Sequence, residues 1–250
     1  MSVSLRCYST SLGCPKNRVD TERLLGSLGV ALVPVESPDE AELVFINTCA
    51  FIQPATEESV RTIAQAIADI EELPKRPLLA VAGCLVGRYH AEDLAPELPE
   101  VDLWLDNSDL EAWPAMLARK LGLPEPTVPG RILSTGPSYA WLKISDGCRH
   151  ACSFCAIPNI RGGHRSHCKD MIVREARALL DQGVKELNLV AQDLTEWGCD
   201  LDGKQDLRTL LDGLLPLPGL ERLRLMYLYP AGMTHEMLKY LREAGKPFVP

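Results

Sequence analysis

The sequence predicts an α/β protein, with an N-terminal parallel-sheet domain followed by a partial β/α barrel. Three observations support this fold class. Short apolar runs alternate with amphipathic segments, the order expected of parallel strands joined by helices. A stretch rich in proline and glycine interrupts the pattern near the middle of the chain. Cysteines or polar residues follow the predicted strands, at the strand ends where parallel-sheet proteins place their chemistry.

The first half of the chain is predicted to contain three strands and two helices. Apolar runs over residues 4–8, 42–46 and 77–81 predict the strands. Residues 17–28 and 56–73 have the apolar spacing of amphipathic helices. The second helix carries two acidic residues in its first turn, where the helix dipole favours them. This order predicts a parallel sheet flanked by helices.

A cysteine follows each of these three strands, at a constant interval of 35 residues: Cys14, Cys49 and Cys84. The carboxyl ends of parallel strands meet at one rim of a sheet, so the three thiols are expected to converge there. A second interpretation stays open, because free cysteines are often buried as small apolar residues. The remaining cysteines occupy no corresponding position at a strand end, and no function is predicted for them: Cys7, Cys168 and Cys199.

A linker is predicted over residues 123–137, between a first domain at 1–122 and a second at 138–250. The four prolines and two glycines within residues 123–137 resist helix formation.

The second half is predicted to contain three β/α units and the start of a fourth. The strands are predicted at 139–144, 184–190, 220–227 and 248–249, and the helices at 171–182, 207–215 and 234–244. The pattern stops at Pro250 before a barrel is complete. We therefore expect the chain to lack the C-terminal portion of a longer protein.

The loop after the first of these strands carries Cys148, Cys152 and Cys155, in a C-x3-C-x2-C spacing with no fourth cysteine nearby to complete the set. Three soft ligands on one short loop suit an iron–sulfur cluster with one iron left open. The alternative is zinc, which prefers four ligands and would need a fourth from this set: His164, His167 or Cys168. No acidic residue lies between Cys148 and Lys169, which predicts a locally positive surface or an ordinary solvated basic loop.

Composition narrows the functional classes. The chain has 46% hydrophobic residues, and the sequence contains neither a secretory signal nor a membrane-spanning segment, which predicts a cytoplasmic protein. In that reducing compartment its nine cysteines are better explained as metal ligands or free thiols than as disulfides. A formal charge of −8 gives no general attraction to phosphates, so direct nucleic-acid binding is not predicted.

Together these motifs resemble the radical S-adenosylmethionine (SAM) methylthiotransferase family. The three-cysteine loop, with Phe154 before its last cysteine, is similar to that of the radical SAM superfamily, and the N-terminal trio narrows the resemblance to methylthiotransferases. Within that family, the chain resembles the branch that modifies an aspartate of a ribosomal protein. Five motifs carry this resemblance: SLGCPKN at 11–17, NTCAFI at 47–52, GCL at 83–85, AQD at 191–193 and YLYP at 227–230. Ala50 and His167 depart from the usual family residues, and neither departure removes a ligand.

The resemblance implies two [4Fe-4S] clusters, one on Cys148, Cys152 and Cys155 with SAM on its open iron, and one on Cys14, Cys49 and Cys84. It implies that the first cluster reduces SAM to give a 5'-deoxyadenosyl radical, which removes a hydrogen from the β-carbon of the aspartate. The second cluster would hold or deliver the methylated sulfur, with a second SAM as methyl donor. The implied partners are a small-subunit ribosomal protein, an electron donor protein and an unidentified sulfur donor.

Six residues are implied to line the SAM pocket, and none is assigned as a general acid or base. Phe154 is expected to contact adenine, and Arg161 and Arg165 to lie near the SAM carboxylate. Gln192, Asp193 and Tyr229 are expected at the barrel rim. The alternative functions are methylthiolation of an adenosine in tRNA by the same chemistry, and a non-catalytic zinc-binding module.

Overall fold

A computed structural model describes residues 4–244 and 248–249, and the chain divides into two compact units. The first unit comprises Met1–Ile132 and Asn159–Arg161, and the second comprises Leu133–Pro158 and Gly162–Pro250. The division falls within the stretch rich in proline and glycine. No helix in the described part of the chain is long and apolar enough to cross a membrane.

The first unit is built on a five-stranded parallel sheet in the order β2-β1-β3-β4-β5. Its strands are β1 (Ser4–Ser11), β2 (Ala31–Pro34), β3 (Leu43–Thr48), β4 (Leu78–Gly83) and β5 (Leu103–Asp106). Every residue of β3 is buried, as expected of a central parallel strand covered on both faces. The predicted parallel α/β architecture is confirmed.

The register of this sheet aligns the ends of its three central strands. Ser11 of β1 pairs with Asn47 of β3, and Thr48 of β3 pairs with Gly83 of β4. The three predicted strands are therefore neighbours, although they are not successive in sequence. The extra strand β2 lies between β1 and β3 along the chain and pairs at the sheet edge. It has only four residues, three of them exposed, and its short apolar run ends in Pro34, which disfavours a strand assignment.

Five helices accompany this sheet: α1 (Pro15–Ser27), α2 (Gln53–Ile70), α3 (Cys84–Tyr89), α4 (Ala91–Leu94) and α5 (Trp113–Leu121). The predictions of α1 and α2 are confirmed, and each helix begins two or three residues earlier than predicted. Pro15 and Pro54 lie in the first turns, where proline's missing N–H removes no helical bond. Leu24 and Leu25 of α1 join Phe45 and Trp113 in one apolar core.

The end of the predicted linker packs against α1. Residues 123–137 contain no helix or strand, but the Arg131 guanidinium bonds the Glu22 carboxylate at 2.7 and 2.9 Å, and both side chains are almost fully buried. The Ile132 N–H donates to the Glu22 carbonyl at 3.1 Å. Gly26 allows this approach, since a Cβ there would lie within 2.7 Å of three backbone atoms of Arg131. Residues 130–132 thus belong to the first unit.

The second unit contains a four-stranded parallel sheet and a short antiparallel ribbon. Its strands are β6 (Tyr139–Lys143), β7 (Ser145–Asp146), β8 (Arg165–Ser166), β9 (Glu186–Val190), β10 (Arg222–Leu225) and β11 (Phe248–Val249). The sheet order is β11-β10-β9-β6, and β7 pairs with β8. The three predicted β/α units and the start of a fourth are confirmed in this partial barrel. The predicted strand at 220–227 is shorter than expected, and Tyr227 beyond it has a positive φ of 69°.

Four helices lie in this half of the sequence: α6 (Ile157–Arg161), α7 (Lys169–Asp181), α8 (Leu207–Leu214) and α9 (His235–Glu243). Leucines of α7 and α8 pack against the inner residues of β6 and β9 in a second apolar core. This core fixes the strands whose carboxyl ends carry the polar residues described below.

We predict that Gly26→Ala loosens residues 130–132, because the added methyl group collides with backbone that is held by the Glu22–Arg131 pair. Overpacking of this kind costs about 1–3 kcal/mol, more than the helix-propensity gain of about 1 kcal/mol from replacing glycine. Trypsin should cleave after Arg131 faster than in the unmodified protein. Gly136→Ala is the control, because that site has open space around it. Equal cleavage rates in the two variants would contradict the packing described here.

Candidate functional site

Three cysteines converge at the aligned strand ends of the first unit. Cys14 precedes α1, Cys49 follows β3, and Cys84 begins α3 directly after β4. Cys49 and Cys84 are buried and Cys14 is partly exposed. Burial raises the pKa of the Cys49 thiol. The backbone N–H of Phe51 lowers this pKa, nearby Cys84 and Cys14 raise it further, and Arg161 lowers it. The convergence expected from the topology is therefore present.

Two glycines allow close packing of the backbone beside this trio. Gly13 has a φ of 80°, and a Cβ there would lie 2.7 Å from the Cys49 sulfur. Gly83 has a φ of 99°, and its Cβ would lie 2.7 Å from the Thr48 carbonyl oxygen. Both positions combine a left-handed backbone with a space that no side chain fits. The glycines therefore allow these loops to pack closely, and three converging thiols fit the donor set of an iron–sulfur cluster.

Asn17 connects the loops that carry these cysteines. Its side-chain N–H2 donates to the carbonyls of Leu12 and Thr48, at 2.9 and 2.8 Å. These carbonyls lie two residues before Cys14 and one residue before Cys49. The Asn17 side-chain oxygen lies 3.8 Å from the Cys84 sulfur. One buried amide thus contacts all three segments.

Further polar side chains fix the backbone around Cys49. The Ser59 hydroxyl on α2 accepts from the Cys49 N–H at 3.0 Å and donates to the Cys49 carbonyl at 2.7 Å. Arg88 on α3 donates to the Ala50 carbonyl at 2.6 Å. Asn17 belongs to a motif that carries the family resemblance, but sequence reasoning assigned no contact to Asn17, Ser59 or Arg88.

Arg161 lies in this first unit. Its guanidinium donates to the Asp20 carboxylate at 3.2 and 3.3 Å and to the side-chain oxygen of Asn17. The family resemblance implied that Arg161 lies near the carboxylate of SAM. The structure gives its buried charge a different partner.

The second cysteine trio lies on the loop between β7 and α6. The three thiols are partly exposed. Burial raises the pKa of the Cys148 thiol. The backbone N–H of His150, 3.4 Å from the Cys148 sulfur, lowers that pKa, and Cys155, Asp193 and Cys152 raise it. Gly147, with a φ of 64°, brings the loop against the backbone of Gly162 and Gly163. Three neighbouring thiols that are open to solvent fit a cluster with one accessible iron.

Asp193 anchors this loop beyond the end of β9. Its carboxylate lies 2.8 Å from His150 Nε2 and accepts from the Thr195 N–H and hydroxyl, at 2.8 and 2.7 Å. The Tyr229 N–H approaches it at 3.4 Å, and the Tyr229 ring lies 4.6 Å from the His150 ring. Burial alone would raise the pKa of the Asp193 carboxyl, but these hydrogen bonds outweigh it and lower the pKa. The carboxylate therefore stays ionised at neutral pH.

The structure thus joins Asp193 and Tyr229 to the cysteine loop through His150, which the sequence did not single out for this role. Phe154 is 86% exposed, and Gln192, directly before Asp193, is partly exposed. Arg165 is exposed on β8, opposite Asp146. Phe154, Gln192 and Arg165 are in the same unit as the loop, and their contact with SAM stays a prediction.

The histidines of the zinc alternative have other partners. His164 Nε2 lies 3.0 Å from the Ser166 hydroxyl and 3.5 Å from the Asp200 carboxylate. His167 Nε2 lies 3.2 Å from Asp146, and its Nδ1 lies 3.2 Å from the Lys143 carbonyl. None of these four contacts is to a cysteine of the loop. A closed zinc site would therefore require the two histidines to exchange partners.

Two family models match the chain. The Uncharacterized protein family UPF0004 matches residues 6–106, and the Radical SAM superfamily matches residues 142–250. Each match contains one cysteine trio.

Curated relatives match nearly the whole chain. A protein of Nitratidesulfovibrio vulgaris strain DP4, named ribosomal protein uS12 methylthiotransferase RimO, is 68% identical over 97% of the chain. A protein of the same name from Lawsonia intracellularis is 59% identical over 100% of the chain. The chain spans 56% and 57% of the length of these relatives.

Among solved structures, the chain is similar to the radical S-adenosylmethionine methyltransferase TsrM of Kitasatospora setae. The TM-score is 0.63 at 14% identity, covering 98% of this chain and 58% of that one. At this identity the likeness shows the fold alone.

We predict that Asp193→Ala loosens the segment after β9, because the Thr195 and Tyr229 N–H groups lose their acceptor. The loss of a partner costs about 1–3 kcal/mol for a fully buried donor and less for these part-buried groups. Hydrogen exchange measured by mass spectrometry should be faster in peptides covering residues 193–198. Asp202→Ala, at an exposed acid in the following loop, is the control. Exchange as slow in Asp193→Ala as in this control would refute an anchoring role.

Proposed function

The chain belongs to the radical SAM methylthiotransferase family, and from this premise we propose that it takes part in adding a methylthio group to an aspartate of ribosomal protein uS12. The name of the relatives supports this substrate. The motifs around both trios support the aspartate-modifying branch. Because the chain spans little more than half of those relatives, the activity, its substrates and its partners belong to this proposal.

The observation that carries the proposal is the presence of two separate cysteine trios. A C-x3-C-x2-C loop alone would fit radical SAM enzymes of many kinds. The convergence of Cys14, Cys49 and Cys84 adds a second site with the same donor set. We propose one [4Fe-4S] cluster at each trio.

Sulfur insertion at an unactivated carbon exceeds the reach of acid–base side chains, so the bound cofactors supply the radical chemistry and the protein positions them. In our proposal Cys148, Cys152 and Cys155 hold the cluster that binds SAM. Asp193 and Tyr229 fix the loop through His150, and Phe154 offers an exposed ring to the adenine. Cys14, Cys49 and Cys84 hold a second cluster, which holds or delivers the methylated sulfur. A second SAM is the methyl donor.

The proposed partners are uS12, an electron donor protein and a sulfur donor of unknown identity, and the proposed location is the cytoplasm, where ribosomal proteins are accessible. The second candidate substrate is an adenosine of tRNA. The formal charge of −8 favours the protein substrate, since tRNA binding normally depends on a basic surface.

We predict about eight irons with matching sulfide per chain after anaerobic reconstitution, because each [4Fe-4S] cluster contributes four. Replacing Cys14, Cys49 and Cys84 by alanine should halve both values, as should replacing Cys148, Cys152 and Cys155. The control replaces the exposed Cys168 and Cys199 by serine and should retain all the iron. Negligible iron with about one zinc would favour the zinc-binding module instead.

We predict that the reconstituted chain, given SAM, sulfide as the sulfur source and a chemical reductant, methylthiolates uS12 and not tRNA. Peptide mass spectrometry should find hydrogen replaced by a methylthio group at one aspartate of uS12. Replacing Cys49 by alanine should abolish the product, while Cys168→Ser should retain it. If adenosine in the tRNA sample were modified and uS12 were not, tRNA would be the substrate and the proposal would be wrong.

A further inference from the structure

Arg161 is a buried charge beside the first cysteine trio. Its side chain and that of Asp20 are each only 2% exposed, and the two are separated by 141 positions in sequence. A buried ion pair is often no more stabilising than an apolar pair of the same size, because both charges lose their hydration. Stability alone is therefore a weak explanation for a guanidinium at this position.

The contacts of Arg161 lead directly to the cysteines. It donates to the side-chain oxygen of Asn17, the same oxygen that lies 3.8 Å from the Cys84 sulfur. That contact fixes which end of the Asn17 amide faces Arg161. The N–H2 group is then directed at the carbonyls of Leu12 and Thr48, before Cys14 and Cys49. Arg161 thus orients the one amide that contacts all three cysteine-bearing segments.

The backbone next to Arg161 is also tightly packed. The Ile160 backbone lies against Gly87 of α3, where any Cβ would collide with the Ile160 carbonyl. Ile160 itself is 2% exposed. The guanidinium is held by backbone packing as well as by Asp20, so its position relative to the trio is fixed.

The positive charge of Arg161 affects the reduction potential of a cluster bound at the first trio. Three thiolates bring three negative charges to a cluster, and the nearby Asp20 carboxylate adds a fourth. The net charge around a cluster and the hydrogen bonds near its sulfurs set its reduction potential. A cation held at this site favours the more negative, reduced form of the cluster and helps to retain it.

We propose that Arg161 is a positioning residue for the cluster on Cys14, Cys49 and Cys84, and that its charge raises the reduction potential of that cluster. This inference rests on the proposed function, which places a [4Fe-4S] cluster at that trio. It replaces the role that the sequence predicted for Arg161 at the carboxylate of SAM.

The test uses a parent protein in which Cys148, Cys152 and Cys155 are replaced by alanine, so that only the first cluster forms. Arg161→Met and Arg161→Lys are compared with Arg61→Met, which removes an exposed arginine of α2 in the same unit. Two quantities are measured after reconstitution: the rate of iron loss to a chelator, and the reduction potential followed by electron paramagnetic resonance. Circular dichroism of each apoprotein reports its folding.

We expect Arg161→Met to lose iron roughly tenfold faster or more, the range typical for residues that orient metal ligands, and to have a lower potential. Arg161→Lys keeps the charge but lacks the planar fork that bonds Asp20 and Asn17 together. It should therefore lose iron quickly while keeping a potential close to that of the parent. Arg61→Met should match the parent in both measurements.

A potential and a rate of iron loss in Arg161→Met that equal those of Arg61→Met would overturn the inference. Faster iron loss at an unchanged potential would reduce Arg161 to a structural residue and would also overturn it. If Arg161→Met does not fold, Arg161→Lys decides, and a rate of iron loss equal to that of the parent then overturns the positioning role. A parent protein without iron would refute the first cluster itself, an outcome distinct from any difference between variants.

Discussion

The aligned ends of three neighbouring parallel strands are the constraint on which the first site depends. β1, β3 and β4 share a register in which Ser11 pairs with Asn47 and Thr48 pairs with Gly83. Each step along a strand is about 3.3 Å, and a shift of one residue turns every side chain to the opposite face. A shift in any one strand would therefore move one cysteine away from the other two. The burial of β3 on both faces fixes this register.

Polar side chains at the strand ends form hydrogen bonds to neighbouring segments. Asn47 donates to the Asn17 carbonyl at 2.9 Å and to the Thr21 hydroxyl at 3.1 Å. Thr48 donates to the Ala82 carbonyl at 2.6 Å and accepts from the Leu85 N–H at 3.1 Å. Burying such groups costs free energy unless they are hydrogen-bonded, and once bonded they hold neighbouring loops rigidly. The cysteines thus extend from a rigid frame.

The sequence predicts this site as far as local patterns reach. Apolar runs revealed β3 and β4, and the topology of a parallel sheet then placed Cys49 and Cys84 at one rim. The edge strand β2 was not predicted because its apolar run is short and ends in proline. The contact of Arg161 with Asp20 could not be predicted, because the two residues lie 141 positions apart in sequence. Pairings of that kind depend on tertiary packing, which no periodicity encodes.

The two trios also differ in what they require of the fold. Cys148, Cys152 and Cys155 occupy eight consecutive residues, so the entropy cost of bringing their thiols together is small. Cys14, Cys49 and Cys84 close two loops of 35 residues each, and only the folded sheet offsets the larger cost of that closure. A fluctuation that separates β1 from β3 disperses the first trio but leaves the short loop of the second intact. Hydrogen bonds from Asn17 and Ser59 hold the segments of the first trio together, because its cysteines are far apart along the chain.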